Sequence, residues 1–150
     1  VLGPSMSGIL SMSNRLTIKK IFSLPVVPDV SISVVGVQDV AEAHVMAMEN
    51  ENANGKRFLL SEKTIKLKDL SNILKSAGFK KVPTLVIPNF LLKFVALFTP
   101  SLKMIAKRLG KEEKLYTTNA NNVLGWYPNR VESEIINSAK QLYETGLLKN

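Results

Sequence analysis

The apolar residues of this chain recur mostly at helical spacing, whereas segments that could form strands are few and short. Strands are predicted at residues 31–37 and 57–61. Helices are predicted after Ser13, after Asp39, and at residues 67–77, 90–98, 101–109, 119–124 and 131–145. Two or three strands cannot bury the apolar faces of about six helices. The sequence therefore predicts a small α/β unit that packs against more sheet than it carries itself.

Two of these helices have candidate capping residues. Ser13 and Asp39 stand where a side-chain oxygen can accept from the free amides of a first helical turn. The helix at residues 90–98 is apolar nearly all round, and it is far too short to cross a bilayer. It is predicted to be either a buried helix or a surface that contacts something else.

Composition removes several classes of active site. The 150 residues fit one domain, and the absence of Cys excludes disulfides, thiolate metal sites and cysteine nucleophiles. His44 is the single histidine, so no multi-histidine metal site can form, and no metal is expected. Neither of the common glycine-rich phosphate loops occurs. No tyrosine has a lysine four residues later, the helical pairing that would lower the pKa of a phenol for proton transfer.

The net charge of +8 could indicate a site for nucleic acid or anionic lipid. Most lysines are scattered, however, and one cluster stands out at Lys103, Lys107, Arg108, Lys111 and Lys114. Two glutamates at positions 112 and 113 interrupt it, and no aromatic residues alternate with it as a base-stacking platform requires. The cluster is therefore predicted to be a solvated face, with neither nucleic acid nor membrane as a partner.

The chain begins with Val1-Leu2-Gly3-Pro4, a pattern typical of the end of a buried strand that runs into a loop. No charged segment followed by an apolar one is present there, so no signal peptide is predicted. A start in mid-strand is the pattern expected of a fragment.

Four stretches, in order, resemble the C-terminal third of the extended short-chain dehydrogenases/reductases. The resemblance is to their dihydroflavonol-reductase-like and NAD-dependent epimerase/dehydratase group. It rests on V-L-G-P at residues 1–4, V-Q-D-V-A-E-A-H at 37–44, G-K-R-F at 55–58 and L-G-W-Y-P at 124–128.

The resemblance implies an α/β fold, namely the C-terminal substrate-binding portion of a Rossmann-type enzyme, with few strands and about six helices. Residues 1–150 would be this substrate-side region, and the family's dinucleotide-binding region, with its catalytic Ser/Thr and Tyr-x-x-x-Lys, would lie upstream. The cofactor would be NAD or NADP. By resemblance, Gly3, Pro4 and Ser13 are cofactor-binding positions, and a helix N-terminus at Ser13 suits a phosphate or ribose oxygen.

The same resemblance implies substrate-binding positions at Ser5, Met6, Leu10 and Ser33. The flavonoid reductases have a larger polar residue where Ser33 stands, which argues against a flavonoid-type substrate. Asp39, His44 and Trp126 match mainly structural family positions, and no catalytic residue is expected within the chain.

The leading hypothesis is a fragment of an NAD(P)-dependent oxidoreductase that reduces a carbonyl substrate, or of a sugar-nucleotide epimerase/dehydratase. Carbonyl reduction is favoured because residues 37–44 and the position of Ser13 look most like the reductases. An NAD(P)-sensing module without catalytic activity is the alternative, and a basic nucleic-acid-binding domain is a third. A small-molecule substrate, a cytoplasmic location and self-association of the isolated chain through uncovered apolar surface are also expected.

Overall fold

A computed structural model describes residues 1–5, 11, 14–112 and 114–148, apart from the side chains of residues 15, 16 and 101. Helix α1 comprises a π-helical stretch, Arg15–Lys19, continued by Lys20–Phe22. The remaining helices are α2 (Val37–Glu49), α3 (Leu67–Ser76), α4 (Asn89–Phe98), α5 (Pro100–Arg108) and α6 (Glu132–Glu144), with shorter turns at Glu51–Ala53 and Ala120–Leu124. The strands are β1 (Ser31–Val34) and β2 (Lys63–Lys66).

Strands β1 and β2 form an antiparallel ladder that places Ser31 opposite Lys66 and Val34 opposite Lys63. A parallel bridge between Leu2 and Gly36 lies beside this ladder. The two-stranded sheet is therefore antiparallel, and the parallel pairing occurs outside it, at the isolated bridges Leu2–Gly36 and Val27–Val86.

Three apolar clusters hold the helices in place. The main one joins α1, α3 and α6 to the sheet through residues such as Ile18, Leu70 and Ile135. The second surrounds Trp126, which is 0% exposed, and includes Val35 and Ala43. The third lies beneath the hairpin of α4 and α5. In the described part of the chain, no helix is long and apolar enough to cross a membrane.

The α4–α5 hairpin is tied to the start of β1 through Asp29. The Asp29 backbone carbonyl accepts from the Gly110 amide at 3.0 Å, just after α5. The Asp29 carboxylate accepts from the Asn89 side chain at 3.4 Å and pairs with Lys66 at 3.6 Å. Both ends of the hairpin are therefore fixed to the same loop.

The strand predicted at residues 57–61 is wrong, because the ladder uses Lys63–Lys66 instead. Phe58 and Leu60 are partly buried against the Trp126 cluster. Their apolar character therefore reflects packing and not backbone pairing. The strand predicted at 31–37 ends at Val34, because α2 already begins at Val37.

Asp39 is not the N-cap of α2, since Gly36 occupies that position and Asp39 lies inside the first turn. Its carboxylate instead accepts from the Asn129 amide at 3.0 Å and from the Asn129 side chain at 2.8 Å. The Trp126 indole donates to the Asp39 backbone carbonyl at 2.8 Å. The predicted cap at Ser13 lies outside the described residues.

The surface expected to drive self-association is largely covered within the chain. Leu2, Val34, Val35 and Ile135 are all buried. Val34 has a partner in β2, and the Val35 carbonyl accepts from the Leu2 amide. These residues therefore do not form the uncovered apolar surface that was expected, and self-association itself stays a prediction.

Asp39→Ala is expected to lower the free energy of unfolding by about 1–3 kcal/mol, because both Asn129 donors then lose their acceptor. Asp39→Asn keeps one acceptor oxygen, so its loss should be smaller. Urea unfolding followed through the fluorescence of Trp126, the single tryptophan, measures both variants. An alanine variant as stable as the parent would contradict this role.

Candidate functional site

The segment at residues 1–5 pairs with the loop that leads into α2. The Leu2 amide donates to the Val35 carbonyl at 2.9 Å, and the Leu2 carbonyl accepts from the Val37 amide at 2.8 Å. This pairing places Gly3, Pro4 and Ser5 beside the first turn of α2.

Gly3 has a positive φ of 154° and no room for a side chain. A Cβ at this position would lie 2.2 Å from Val37 Cγ1 and 2.9 Å from Val37 Cβ. Rotation of the valine side chain cannot move its own Cβ. The close approach between the segment and α2 therefore requires glycine.

Two amide side chains form hydrogen bonds with the backbone of this segment. Asn14 is fully buried and donates from Nδ2 to the Gly3 carbonyl at 2.7 Å. Gln141 of α6 donates to the Ser5 carbonyl and accepts from the Ser5 amide, both at 2.7 Å. Sequence reasoning missed both residues. The position of Gln141 beside the buried Leu142 on α6 was the one available signal.

A cleft of about 420 Å³ opens between this segment and α2. Among the residues that the structure describes, its lining is mainly apolar and carries no charged side chain; it consists of Val1, Leu2, Gly3, Pro4, Ser5, Ser11, Val37, Gln38 and Ala41. We call it the first cleft. Among the predicted site residues, Gly3, Pro4 and Ser5 come together here.

A second cleft, of about 330 Å³, contains Ser33. It is lined by Val1, Leu2, Thr17, Ile32, Ser33, Val34 and Arg108. The Ser33 hydroxyl lies 3.2 Å from the Thr64 hydroxyl across the β1–β2 ladder. Because Val1 and Leu2 line both clefts, the two clefts adjoin the same short segment.

The structure therefore divides the predicted site residues between two neighbouring clefts. Ser13, Met6 and Leu10 lie outside the described residues. The assignments of all seven positions to cofactor or substrate stay predictions.

The three family positions expected to be structural make structural contacts. Asp39 and Trp126 join α2 to the C-terminal part of the chain, as described above. His44 is exposed, and its Nδ1 lies 2.7 Å from the Val40 carbonyl one turn earlier on α2.

Two glutamates of α6 have pKa values shifted in opposite directions. Burial, and secondarily the charge of Asp39, raises the pKa of Glu134 above its ordinary value. Its carboxylate lies close to Gly3, because a Cβ on Gly3 would be 2.8 Å from Glu134 Oε2. The hydrogen bond from Lys63 is the main cause that lowers the pKa of Glu132.

Comparisons with known proteins give a consistent result. No family model matches the chain. The cinnamoyl-CoA reductase CAD2 of Medicago truncatula is 32% identical over 89 residues, which are 59% of this chain and 26% of that protein. The crystal structure of gox2253 matches with a TM-score of 0.75 at 19% identity, over 99% of this chain and 48% of that one. The yeast methylglyoxal/isovaleraldehyde reductase Gre2, complexed with NADPH, matches with a TM-score of 0.67 at 19% identity, over 98% of this chain and 45% of that one.

The chain has the fold of the C-terminal part of an extended short-chain dehydrogenase/reductase. The resemblance predicted from four short motifs and the α/β, Rossmann-type fold are both confirmed. The chain spans less than half the length of the relatives that it matches. In this fold, the two clefts are the candidate site.

Gln141→Ala is expected to release the Ser5 segment from α6. The Ser5 amide would lose its acceptor, so its hydrogen exchange should accelerate about tenfold, the effect of one hydrogen bond of about 1.5 kcal/mol. Lys140→Ala, at the exposed neighbouring position on the same helix, is the matched control and should leave the exchange unchanged. Equal exchange rates in the parent and both variants would contradict the anchoring role.

Glu134→Gln and Glu132→Gln should have opposite pH dependences. Ionisation of Glu134 opposes folding because its folded pKa is raised, so stability falls as the pH rises from 4.5 through the folded value. Glu134→Gln should therefore gain stability over the parent as the pH rises. Glu132 stabilises the fold above its ordinary pKa, and this contribution is lost as the pH falls through its lowered folded value.

Glu132→Gln should accordingly be less stable than the parent at neutral pH, and the difference should shrink in acid. Urea unfolding between about pH 3 and about pH 7 measures both curves. Two variants with the same sign of pH dependence would contradict the assigned environments.

Proposed function

We propose that the chain is the substrate-side part, residues 1–150, of a longer NADPH-dependent reductase that acts on small carbonyl compounds. The observation that carries the proposal is the first cleft, where Gly3 and Pro4, cofactor-binding positions by resemblance, lie beside the first turn of α2 together with Ser5, a substrate-binding position by resemblance. Carbonyl reduction is favoured over epimerisation or dehydration because the named relatives are a cinnamoyl-CoA reductase and a methylglyoxal/isovaleraldehyde reductase.

The first cleft suits one particular part of the cofactor. The described residues of its lining are mainly apolar and carry no charged side chain. The segment at residues 1–5 can lie this close to α2 because Gly3 lacks a side chain. Such a surface would fit the flat nicotinamide end, whereas the phosphates require cationic groups or free amides, and the described residues of the cleft include no cationic side chain. When bound, NADPH would supply the hydride. The phosphate-binding groups and the proton donor would come from the rest of the longer reductase.

The chain's own contribution would be positional. Asn14 and Gln141 hold the backbone at Gly3 and Ser5, which fixes the wall of the first cleft. The second cleft, with Ser33, would receive the carbonyl substrate from the other side of the same segment. Ser13, Met6 and Leu10 are proposed on the resemblance alone as further cofactor and substrate contacts. A cytoplasmic location, where NADPH is available, would suit this activity.

Ala41→Leu tests the proposal in the longer reductase. Ala41 is exposed on α2 and lines the first cleft, so a larger side chain should fill the cleft without disturbing the core. The Kd for NADPH should rise at least about tenfold, which corresponds to about 1.4 kcal/mol. Glu42→Leu is the matched control, because position 42 is also exposed but does not line the cleft. Titration of NADPH fluorescence measures both variants.

Turnover on a panel of aldehydes and ketones distinguishes the alternatives. The longer reductase should consume NADPH, whereas this chain alone should not. NADPH binding without turnover by the longer protein would favour an NAD(P)-sensing module of the same fold. Equal effects of Ala41→Leu and Glu42→Leu on the Kd would remove the first cleft from the cofactor site.

A further inference from the structure

Helix α4 presents a row of large apolar side chains to the solvent. Phe90, Phe94, Leu97 and Phe98 are 75%, 60%, 69% and 76% exposed. The rings of Phe94 and Phe98 contact each other edge to face, with centroids 5.6 Å apart. Soluble proteins rarely leave a contiguous apolar patch of this kind without a partner.

The row lies on the side of α4 that points away from the protein. Leu92 and Ala96 are buried on the inner side, and Leu92 belongs to the cluster beneath the hairpin. At 100° per residue, positions 90, 94, 97 and 98 fall on the opposite arc of the helix. Of the two alternatives that the sequence left for this helix, a fully buried helix is therefore not what the structure shows.

The hairpin that carries this apolar face is strongly basic. Residues 89–114 contain six basic and two acidic side chains. Helix α5 buries Leu109 at its end and exposes Lys103, Met104 and Lys107. In the part of the chain that the structure describes, the ion pairs involve Lys63 and Lys66, and none neutralises a lysine of the hairpin.

We propose that the α4–α5 hairpin binds the surface of an anionic lipid bilayer, with the phenylalanines of α4 in the interface and the lysines of α5 at the headgroups. Apolar and basic groups on one short helical element are the combination that peripheral membrane helices use. A helix of ten residues is about 15 Å long, half the thickness of the hydrocarbon core. It would therefore lie in the interface and would not span the bilayer.

A lipid surface fits this hairpin better than a second copy of the chain or a nucleic acid. Two copies joined through α4 about a twofold axis would bring their lysine clusters near each other, where like charges repel. A nucleic acid would be attracted by the lysines but would leave the phenylalanine row uncovered. The sequence analysis predicted a solvated basic face because it considered the lysine cluster alone. The exposed apolar row on α4 was not known from the sequence.

Vesicle flotation with the purified chain tests the proposal. The chain should float with vesicles of phosphatidylcholine containing about 30% phosphatidylserine, and should bind pure phosphatidylcholine at least about tenfold less tightly. Lys103→Gln with Lys107→Gln should weaken partitioning about thirtyfold, from about 1 kcal/mol for each lysine at the surface. The matched control is Lys80→Gln with Lys81→Gln, which changes the net charge equally at exposed positions outside the hairpin.

Phe94→Ser with Phe98→Ser should also abolish binding, whereas Met48→Ser, at an exposed apolar position on α2, should not. Fluorescence of the buried Trp126 confirms that each variant is folded. Equal losses from the two lysine pairs, or equal binding to both vesicle types, would overturn the proposal. So would a dimer in sedimentation equilibrium that Phe94→Ser dissociates while vesicles fail to bind.

The same flotation with the longest natural form of the protein completes the test. Retained binding supports the proposal. Binding by this chain but not by the longer protein would overturn it, because α4 would then be an internal contact.

Discussion

The hydrogen bond from the buried Trp126 indole to the backbone carbonyl of Asp39 joins positions 87 residues apart and fixes the C-terminal part of the chain to α2. The Asp39 carboxylate extends the same junction by holding Asn129, three residues before α6 begins. An indole N–H buried at 0% exposure has no access to water, so losing this acceptor would leave a costly unpaired donor. The direction in which α6 leaves the junction is therefore closely constrained.

The walls of the first cleft depend on where α6 lies. Gln141, near the C-terminal end of α6, forms hydrogen bonds with the Ser5 backbone. Glu134, near the N-terminal end, lies close to Gly3. Between them, the buried face of α6 packs into the main apolar cluster through Ile135 and Leu142. The partly buried carboxylate of Glu134, whose pKa is raised by burial, keeps its place because the rest of the helix is packed into the core. The junction at Trp126 therefore affects the first cleft through the position of α6. Asp39, Trp126 and Asn129 are not themselves among the residues that line the cleft.

Sequence reasoning recovered the helices well because their apolar residues repeat at a spacing that only a helix brings to one face. It missed β2 because Lys63-Thr64-Ile65-Lys66 contains a single apolar residue, and the strand is defined by its pairing with β1. It misassigned Asp39 because a capping residue and a first-turn residue that binds a distant loop look alike in sequence. The contact between Gln141 and Ser5 spans 136 residues, and the position of Gln141 beside Leu142 does not identify its partner, so this support of the site could be found only from the structure.

The hairpin and the clefts pack on different apolar clusters, but one residue of the hairpin lines the second cleft. Leu92 and Leu109 of the hairpin pack on Val30, whereas Leu2 belongs to the main cluster. Arg108, the last residue of α5, lines the second cleft together with Ser33. Helix α5 has nine residues and is about 14 Å long. Under the two proposals above, the substrate-side cleft would therefore lie within about one helix length of the lipid surface, where apolar carbonyl compounds concentrate because water excludes them.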